Sequence, residues 1–158
     1  MNEISQMLND GALLCAGSID NFNTMTINWG MLGTIYRKDT FVCFVRPSSY
    51  TNKFVEENDY FTVSFYYPRY RQQLSYLGTH SGRESNKVLE VGFTPVEVEN
   101  GVTFKEAYLT FVCKKIYHTD MEKSNLNQEI QNVYYASNDV HKIYFGEIVK
   151  IIEDENLD

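Results

Sequence analysis

Strict alternation over residues 60–66 is the feature that most limits what this chain can become. Phe61, Val63 and Phe65 are apolar, with Thr62 and Ser64 between them. Successive side chains of a strand point to opposite faces, so this period marks a half-buried β-strand. Phe41-Val42-Cys43-Phe44-Val45 is apolar on both faces and reads as a central strand. Residues 11–19, 25–29, 109–117 and 142–152 are further strand candidates. In 109–117, Leu109, Phe111 and Cys113 share one face against Thr110 and Lys114. In 142–152, Ile143, Phe145, Val149 and Ile151 share parity, and Glu147 falls on that same face. Either Gly146 forms a bulge that shifts the register, or a carboxylate points inward; the bulge is the preferred reading.

Helical pattern is short and local, at residues 50–57, 70–77 and 84–89. Breaks fall at Gly78, at 92–95 and at Asn100-Gly101, a hairpin-turn signal. The polar stretch 120–138 reads as a loop or a short helix. Six or more closely spaced strands with small helical insertions predict a mainly β, closed barrel with α insertions. A length of 158 residues fits one domain spanning 1–158.

Composition narrows the function classes. Twelve tyrosines, ten phenylalanines and one tryptophan leave ample material for a core. A net charge of −7 argues against nonspecific duplex nucleic-acid binding, which needs clustered positive charge. It leaves room for a local basic pocket around a small anion. Cys15, Cys43 and Cys113 lie in apolar stretches without C-x-x-C spacing, which predicts buried reduced thiols in a cytoplasmic protein. His80, His118 and His141 are scattered, so no metal site is expected. No signal peptide or membrane-length apolar run is visible. There is no G-x-S-x-G elbow, P-loop or G-x-G-x-x-G unit.

Three segments have the chemistry to hold a phosphate-bearing aromatic cofactor. Arg46-Pro47-Ser48-Ser49-Tyr50-Thr51 follows an apolar strand and opens a helix. Hydroxyls there cap free backbone N–H groups, which also bind anions, and Arg46 adds a planar charge. Its plain alternative is an ordinary capped helix with an exposed arginine. Ser81-Gly82-Arg83-Glu84-Ser85-Asn86-Lys87 offers a glycine for close backbone approach. Arg83 and Lys87 are four apart, which on a helix puts both on one face; the alternative is a solvated turn. Asn23-Thr24-Met25-Thr26-Ile27-Asn28-Trp29-Gly30 places Thr24, Thr26 and Asn28 on one strand face beside the sole tryptophan. Such a face suits the polar edge of a planar ring, or simply faces solvent.

With His141-Lys142-Ile143-Tyr144-Phe145-Gly146-Glu147-Ile148, these segments carry a resemblance. In their order and separation the sequence resembles the flavin reductase-like family, close to flavoredoxin, from about Gly11 to about Ile152. The resemblance implies an antiparallel, Greek-key, FMN-binding split β-barrel and a homodimer with the flavin near the subunit seam. It implies that Thr24, Met25 and Thr26 line the isoalloxazine edge, with Trp29 near the ring and Asn28 still able to hydrogen-bond in that cofactor site. Arg46, Ser48, Tyr50 and Thr51 would hold the ribityl chain and phosphate. Ser81, Gly82, Arg83 and Lys87 would complete the phosphate site. His141 matches the family's late histidine, near the flavin or the dimer seam; the alternative is a structural strand histidine. Asn28 stands where a serine is expected, and Ser49 where a second arginine or another polar residue is common.

The implied activity is electron movement from NAD(P)H through FMN to an acceptor. No side chain need act as nucleophile, because the flavin carries the chemistry. The runner-up is an FMN-containing electron-transfer protein, reduced by a redox partner protein with little NAD(P)H activity. A third reading is a barrel that binds another ligand, such as haem or a pyridoxal phosphate relative.

Overall fold

The structure, a computed structural model, describes residues 3–154. The described elements run α1 (Glu3–Asp10), β1 (Ala12–Ser18), β2 (Asn21–Ile27), β3 (Gly30–Ile35), β4 (Lys38–Val45), α2 (Tyr50–Glu57) and β5 (Tyr60–Phe65). Then follow α3 (Arg71–Thr79), α4 (Lys87–Val91), β6 (Pro95–Val98), β7 (Gly101–Phe104), β8 (Leu109–Asp120), α5 (Gln128–Tyr134) and β9 (Lys142–Glu153).

Seven strands form one antiparallel sheet in the order β2-β1-β5-β8-β9-β4-β3. Its two edge strands, β2 and β3, are consecutive in the chain, with only Asn28 and Trp29 between them. That link reaches at most about 11 Å, at ~3.8 Å per residue. The edges of a flat seven-stranded sheet would stand about 29 Å apart, at ~4.8 Å per strand. The sheet therefore curls until its edges meet, giving the expected mainly β barrel, split along the β2–β3 seam.

Two cores explain the sequence pattern. Ala12, Leu14 and Ala16 of β1 face the barrel interior with Phe41, Cys43, Val45, Phe61, Val63, Phe65, Phe111, Cys113 and Tyr144. The opposite face of β1, Leu13 and Cys15, packs with Leu74 and Leu77 of α3 and with Val102 and Phe104 of β7. The alternating strand β5 is consequently buried on both faces, where alternation predicted one. Its polar side faces the second core: Thr62 donates to the Val102 carbonyl at 2.6 Å, and Ser64 bonds Tyr66 at 2.8 Å. A buried hydroxyl with a partner costs little, so a polar position need not be a wet one.

Several local readings change. In β9 the core face holds Tyr144 and Gly146, not the odd-numbered set. The bulge falls at Val149, skipped between the pairs Val112–Lys150 and Cys113–Ile148, and a second irregularity falls at Ile116. Glu147 does not point inward; it pairs with Lys38 at 3.2 Å on the outside, and the extra residue at the Gly146–Phe145 step is Ile116 of β8, not a residue of β9. Phe145 also faces outward, in a cross-strand row Met31–Val42–Phe145–Tyr117. β2 starts at Asn21 and ends at Ile27, before Trp29.

Helix α2 matches its predicted span, but Ser49 makes no side-chain cap bond and points its hydroxyl toward Met25 Sδ at 3.4 Å. Gly78 stays inside α3; its helix cost of about 1 kcal/mol is less than the burial of Leu74 and Leu77 returns. The third helix is α4, which starts only at Lys87, where Asn86 caps it by accepting from the Leu89 amide. Arg83 lies in the preceding turn, so Arg83 and Lys87 do not share a helical face. Residues 120–138 contain a 3-10 turn, Lys123–Asn125, and α5. Helix α1, β3 and the short strands β6 and β7 are not among the elements read from sequence, although the Asn100-Gly101 turn signal falls at the β6–β7 hairpin.

Candidate functional site

Two cavities adjoin at the open seam and share Met25, Arg46 and His141. One, about 290 Å³, is lined by Met25, Thr26, Asn28, Trp29 and Phe44. The other, about 380 Å³, is lined by residues 48–51 of the α2 entry, the last residues of α3 (77–79) and the turn 80–83 after it, with Lys87. The first sets Met25, Ile27, Trp29 and Phe44 beside Thr26, Asn28, Arg46 and His141. The second is rich in hydroxyls, backbone and cations. Together they form a groove with a flat-ring end and an anion end.

Backbone geometry places both ends. The chain leaves β4 at Val45 and turns at once into α2, because Pro47 and the Ser48-Ser49 pair favour a turn. Across the groove, Ser81 holds the next turn by accepting from the Arg83 amide at 3.1 Å. Gly82 is required there: a Cβ would sit 2.0 Å from Asn23 Oδ1 and 3.3 Å from Tyr50 Cδ2. Asn23 has no freedom to yield, since its amide donates to Thr51 Oγ1 at 2.8 Å.

Arg83 lies over the Tyr50 ring at 4.9 Å and donates to the Ser48 carbonyl at 3.2 Å. Its exposed guanidinium keeps donors in reserve, five N–H groups against one bond. Lys87 is different. It is buried, and its ammonium donates to the carbonyls of Leu77 at 2.8 Å and His80 at 2.9 Å, closing the C-terminus of α3. Burial pulls its pKa down to about 8. Arg46 is also engaged. It donates to the carbonyls of Asp139 at 2.8 Å and Tyr134 at 3.3 Å, and lies over the Tyr135 ring at 5.4 Å. The Ser48 hydroxyl bonds the Asp139 carboxylate. The α2 entry is thereby latched to the segment before β9.

At the ring end, the threonines are less free than their alternation suggests. Thr24 is fully buried, donates to the Leu14 carbonyl at 2.8 Å and lines neither cavity. Thr26 lines the ring end but donates to the Leu74 carbonyl at 2.5 Å. Asn28 donates to the Leu8 carbonyl at 3.1 Å, tying α1 to the seam. Trp29 packs against His141 at 5.1 Å and edge-on against Tyr134 at 5.2 Å.

His141 is buried, and Nδ1 bonds the Tyr135 hydroxyl at 2.6 Å. Burial, with the Arg46 charge adding, lowers its pKa to about 4. The imidazole is therefore neutral at pH 7, and Tyr135 fixes its orientation. The unfolded chain, with a pKa near 6.5, binds this proton more readily than the folded one. Stability from this site is complete above pH 6.5 and is lost as pH falls toward 4. Between pH 7 and 4.5 the expected loss is about 2–3 kcal/mol. Urea titrations of the wild type and His141→Gln should show that component only in the wild type; equal acid slopes would refute it.

Of the residues read from sequence, all but Thr24 meet in this groove. Sequence reasoning missed Asn23, Asp139 and Tyr135, which position Thr51, Ser48 and His141. Asn23 opens the very motif singled out, so its buried strand position was a usable signal. The other two have only nearness to His141 to mark them.

Residues 6–158 match the family model described as flavin reductase like domain. The chain belongs to the flavin reductase-like family. Solved structures share the family fold at low identity. Flavoredoxin from Methanosarcina acetivorans superposes with a TM-score of 0.73 at 22% identity, covering 92% of this chain and 68% of that one. An FMN-binding protein from Thermus thermophilus, with bound 1-cyclohex-2-enone, gives 0.73 at 19% identity, covering 94% and 72%. Flavoredoxin of Desulfovibrio vulgaris (Miyazaki F) gives 0.72 at 22%, covering 92% and 69%. No curated protein sequence matches the chain significantly. Among the described residues, no helix is long and apolar enough to cross a membrane, and no cluster of metal-ligating side chains occurs.

Proposed function

We propose that this flavin reductase-like chain binds FMN in the two-ended groove and passes electrons from NAD(P)H to an acceptor. The observation that carries the reading is the polarity of the groove, an anion end and a flat-ring end joined through Met25, Arg46 and His141. The donor set fits the group. Arg83, Lys87, Ser48 and Ser81 suit a phosphate, and Gly82 lets their turn press against Asn23 and Tyr50 beside the α2 entry. Met25, Trp29 and Phe44 suit an aromatic ring. When bound, the flavin supplies the hydride and electron chemistry.

The chain's own residues bind, orient and exclude water. Burial and the nearby Arg46 charge hold His141 neutral and Tyr135 fixes its orientation, so the imidazole offers the ring end a hydrogen bond rather than a charge. Arg46 keeps the segment before β9 against α2 and so keeps His141 at the groove. A nicotinamide ring has access where the 290 Å³ cavity opens at Trp29, which is 42% exposed. The outward row Met31–Val42–Phe145–Tyr117, with Met31 and Tyr117 more than half exposed, fits a second copy of the chain, giving a homodimer. The thiols suit the reducing cytoplasm.

An absorbance spectrum of the purified protein, followed by anaerobic NADH or NADPH, tests the reading. A yellow protein bleached by either nucleotide is expected. A colourless protein that takes up no added FMN would sink it. A yellow protein bleached only by a reduced redox protein would replace the nicotinamide donor with a protein partner.

A further inference from the structure

A third cavity, about 540 Å³, lies across Trp29 from the ring end, where α1, the seam and α5 meet. It shares Asn28, Trp29 and Phe44 with the ring-end cavity but none of the anion end. We propose that it is a separate binding site for an uncharged, planar aromatic small molecule.

Four observations argue for that occupant. The volume is that of a small-molecule pocket, which runs to roughly 300–1,000 Å³. The wall carries no charged side chain; its polar members are serine, asparagine and tyrosine. A phosphate or carboxylate there would lose water without gaining a counter-charge, a cost of several kcal/mol. That argues against the dinucleotide half of a nicotinamide cofactor as the occupant. The floor is set by packing, with Leu8 4% and Tyr135 2% exposed, so the pocket is formed before any ligand arrives.

The fourth observation is the rim. Trp29, Ile130 and Tyr134 are 42%, 36% and 48% exposed. Such large apolar side chains gathered round a concavity and left to water mark a recognition surface. Trp29 and Tyr134 meet at 83°, so one offers an edge and the other a face to a flat ring, the arrangement aromatic groups favour. The Met121 thioether adds a polarizable contact on the remaining side.

The site stands apart from the FMN reading, because it is built from residues that groove does not use, apart from the shared wall. The probes are 2-acetylnaphthalene and its anionic isostere 2-naphthoate. Occupancy is followed by equilibrium dialysis and by the emission of Trp29, the sole tryptophan. Saturable binding of 2-acetylnaphthalene is expected, at least 20-fold tighter than 2-naphthoate. Ile130→Asp should weaken 2-acetylnaphthalene at least 10-fold with FMN affinity unchanged. Ile130→Lys should shift the preference at least 10-fold toward 2-naphthoate, which a merely damaged pocket would not do. Equal affinity for the two probes, or affinities indifferent to position 130, would overturn the proposal. So would the absence of saturable binding in a dimer that Ile130→Asp dissociates, because a second copy would then fill the cavity. Loss of FMN binding alone, with 2-acetylnaphthalene retained, would sink the flavin reading and leave this site standing.

Discussion

Gly146→Ala is expected to lower the midpoint of thermal unfolding by roughly 6–12 °C. The reason is steric and central. Gly146 lies on the core face of β9 between Tyr144 and Ile148, and a Cβ there would sit 2.6 Å from Phe61 Cζ and 2.7 Å from Cys113 Cβ. Phe61 is 1% and Cys113 0% exposed, so neither has room to retreat. Overpacking a close-packed core costs about 1–3 kcal/mol and occasionally more, and contacts this short belong at the upper end. Calorimetry on the purified chain reads the effect directly. A midpoint within 2 °C of wild type would mean that β9 does not have the register described. Phe61→Leu, mild damage alone, should restore part of the loss in the alanine background.

Arg83→Ala is expected to raise the dissociation constant for FMN by 10- to 100-fold while moving the unfolding midpoint by less than 2 °C. A hydrogen bond to a charged group contributes about 1.5–3 kcal/mol, and tenfold in affinity is about 1.4 kcal/mol. The guanidinium is exposed and its protein contacts, the Ser48 carbonyl and the Tyr50 face, leave the fold intact when lost. Arg83→Lys should recover part of the affinity, because a lysine keeps the charge without the fork. Lys87→Ala should behave differently, losing FMN and stability together. It strips the partners from two buried-side carbonyls at the end of α3. Unchanged FMN affinity in both alanine variants, measured by flavin fluorescence, would remove the phosphate from this end of the groove.

The contrast between these two cations shows what the sequence exposes. Spacing marked Arg83 and Lys87 as a pair, and both do line the anion end. Their different duties arise from tertiary contacts, since Lys87 meets carbonyls 10 and 7 residues earlier. Arg46 makes the point at longer range. Its partners Asp139 and Tyr134 lie 93 and 88 residues away, and no local pattern points to them. The central strands were legible because apolar runs such as 41–45 leave few alternatives. The parity of β9 was not, because its outward face is apolar too. A pattern rule assigns oil to the inside, and here Phe145 meets Tyr117 at 5.4 Å on the outside. The bulge at Val149 then shifts the phase with no glycine to announce it, while the one at Ile116 lies on the neighbouring strand opposite Gly146. Helix α1 was missed although Ile4, Met7 and Leu8 fall at helical spacing on one face, because the stretch is only eight residues long and otherwise polar; Asn28 supplies its anchor from the seam.

The three thiols have a practical consequence. Cys15 on β1, Cys43 on β4 and Cys113 on β8 are fully enclosed, and burial drives their pKa values up, that of Cys43 to about 12. A thiol reacts as its thiolate and only where reagent can reach it, so the native chain is closed to alkylation. Each cysteine becomes a time stamp for the opening of its own strand. A pulse of iodoacetamide in mild denaturant, read by peptide mass, would give the order in which the barrel comes apart without any mutation.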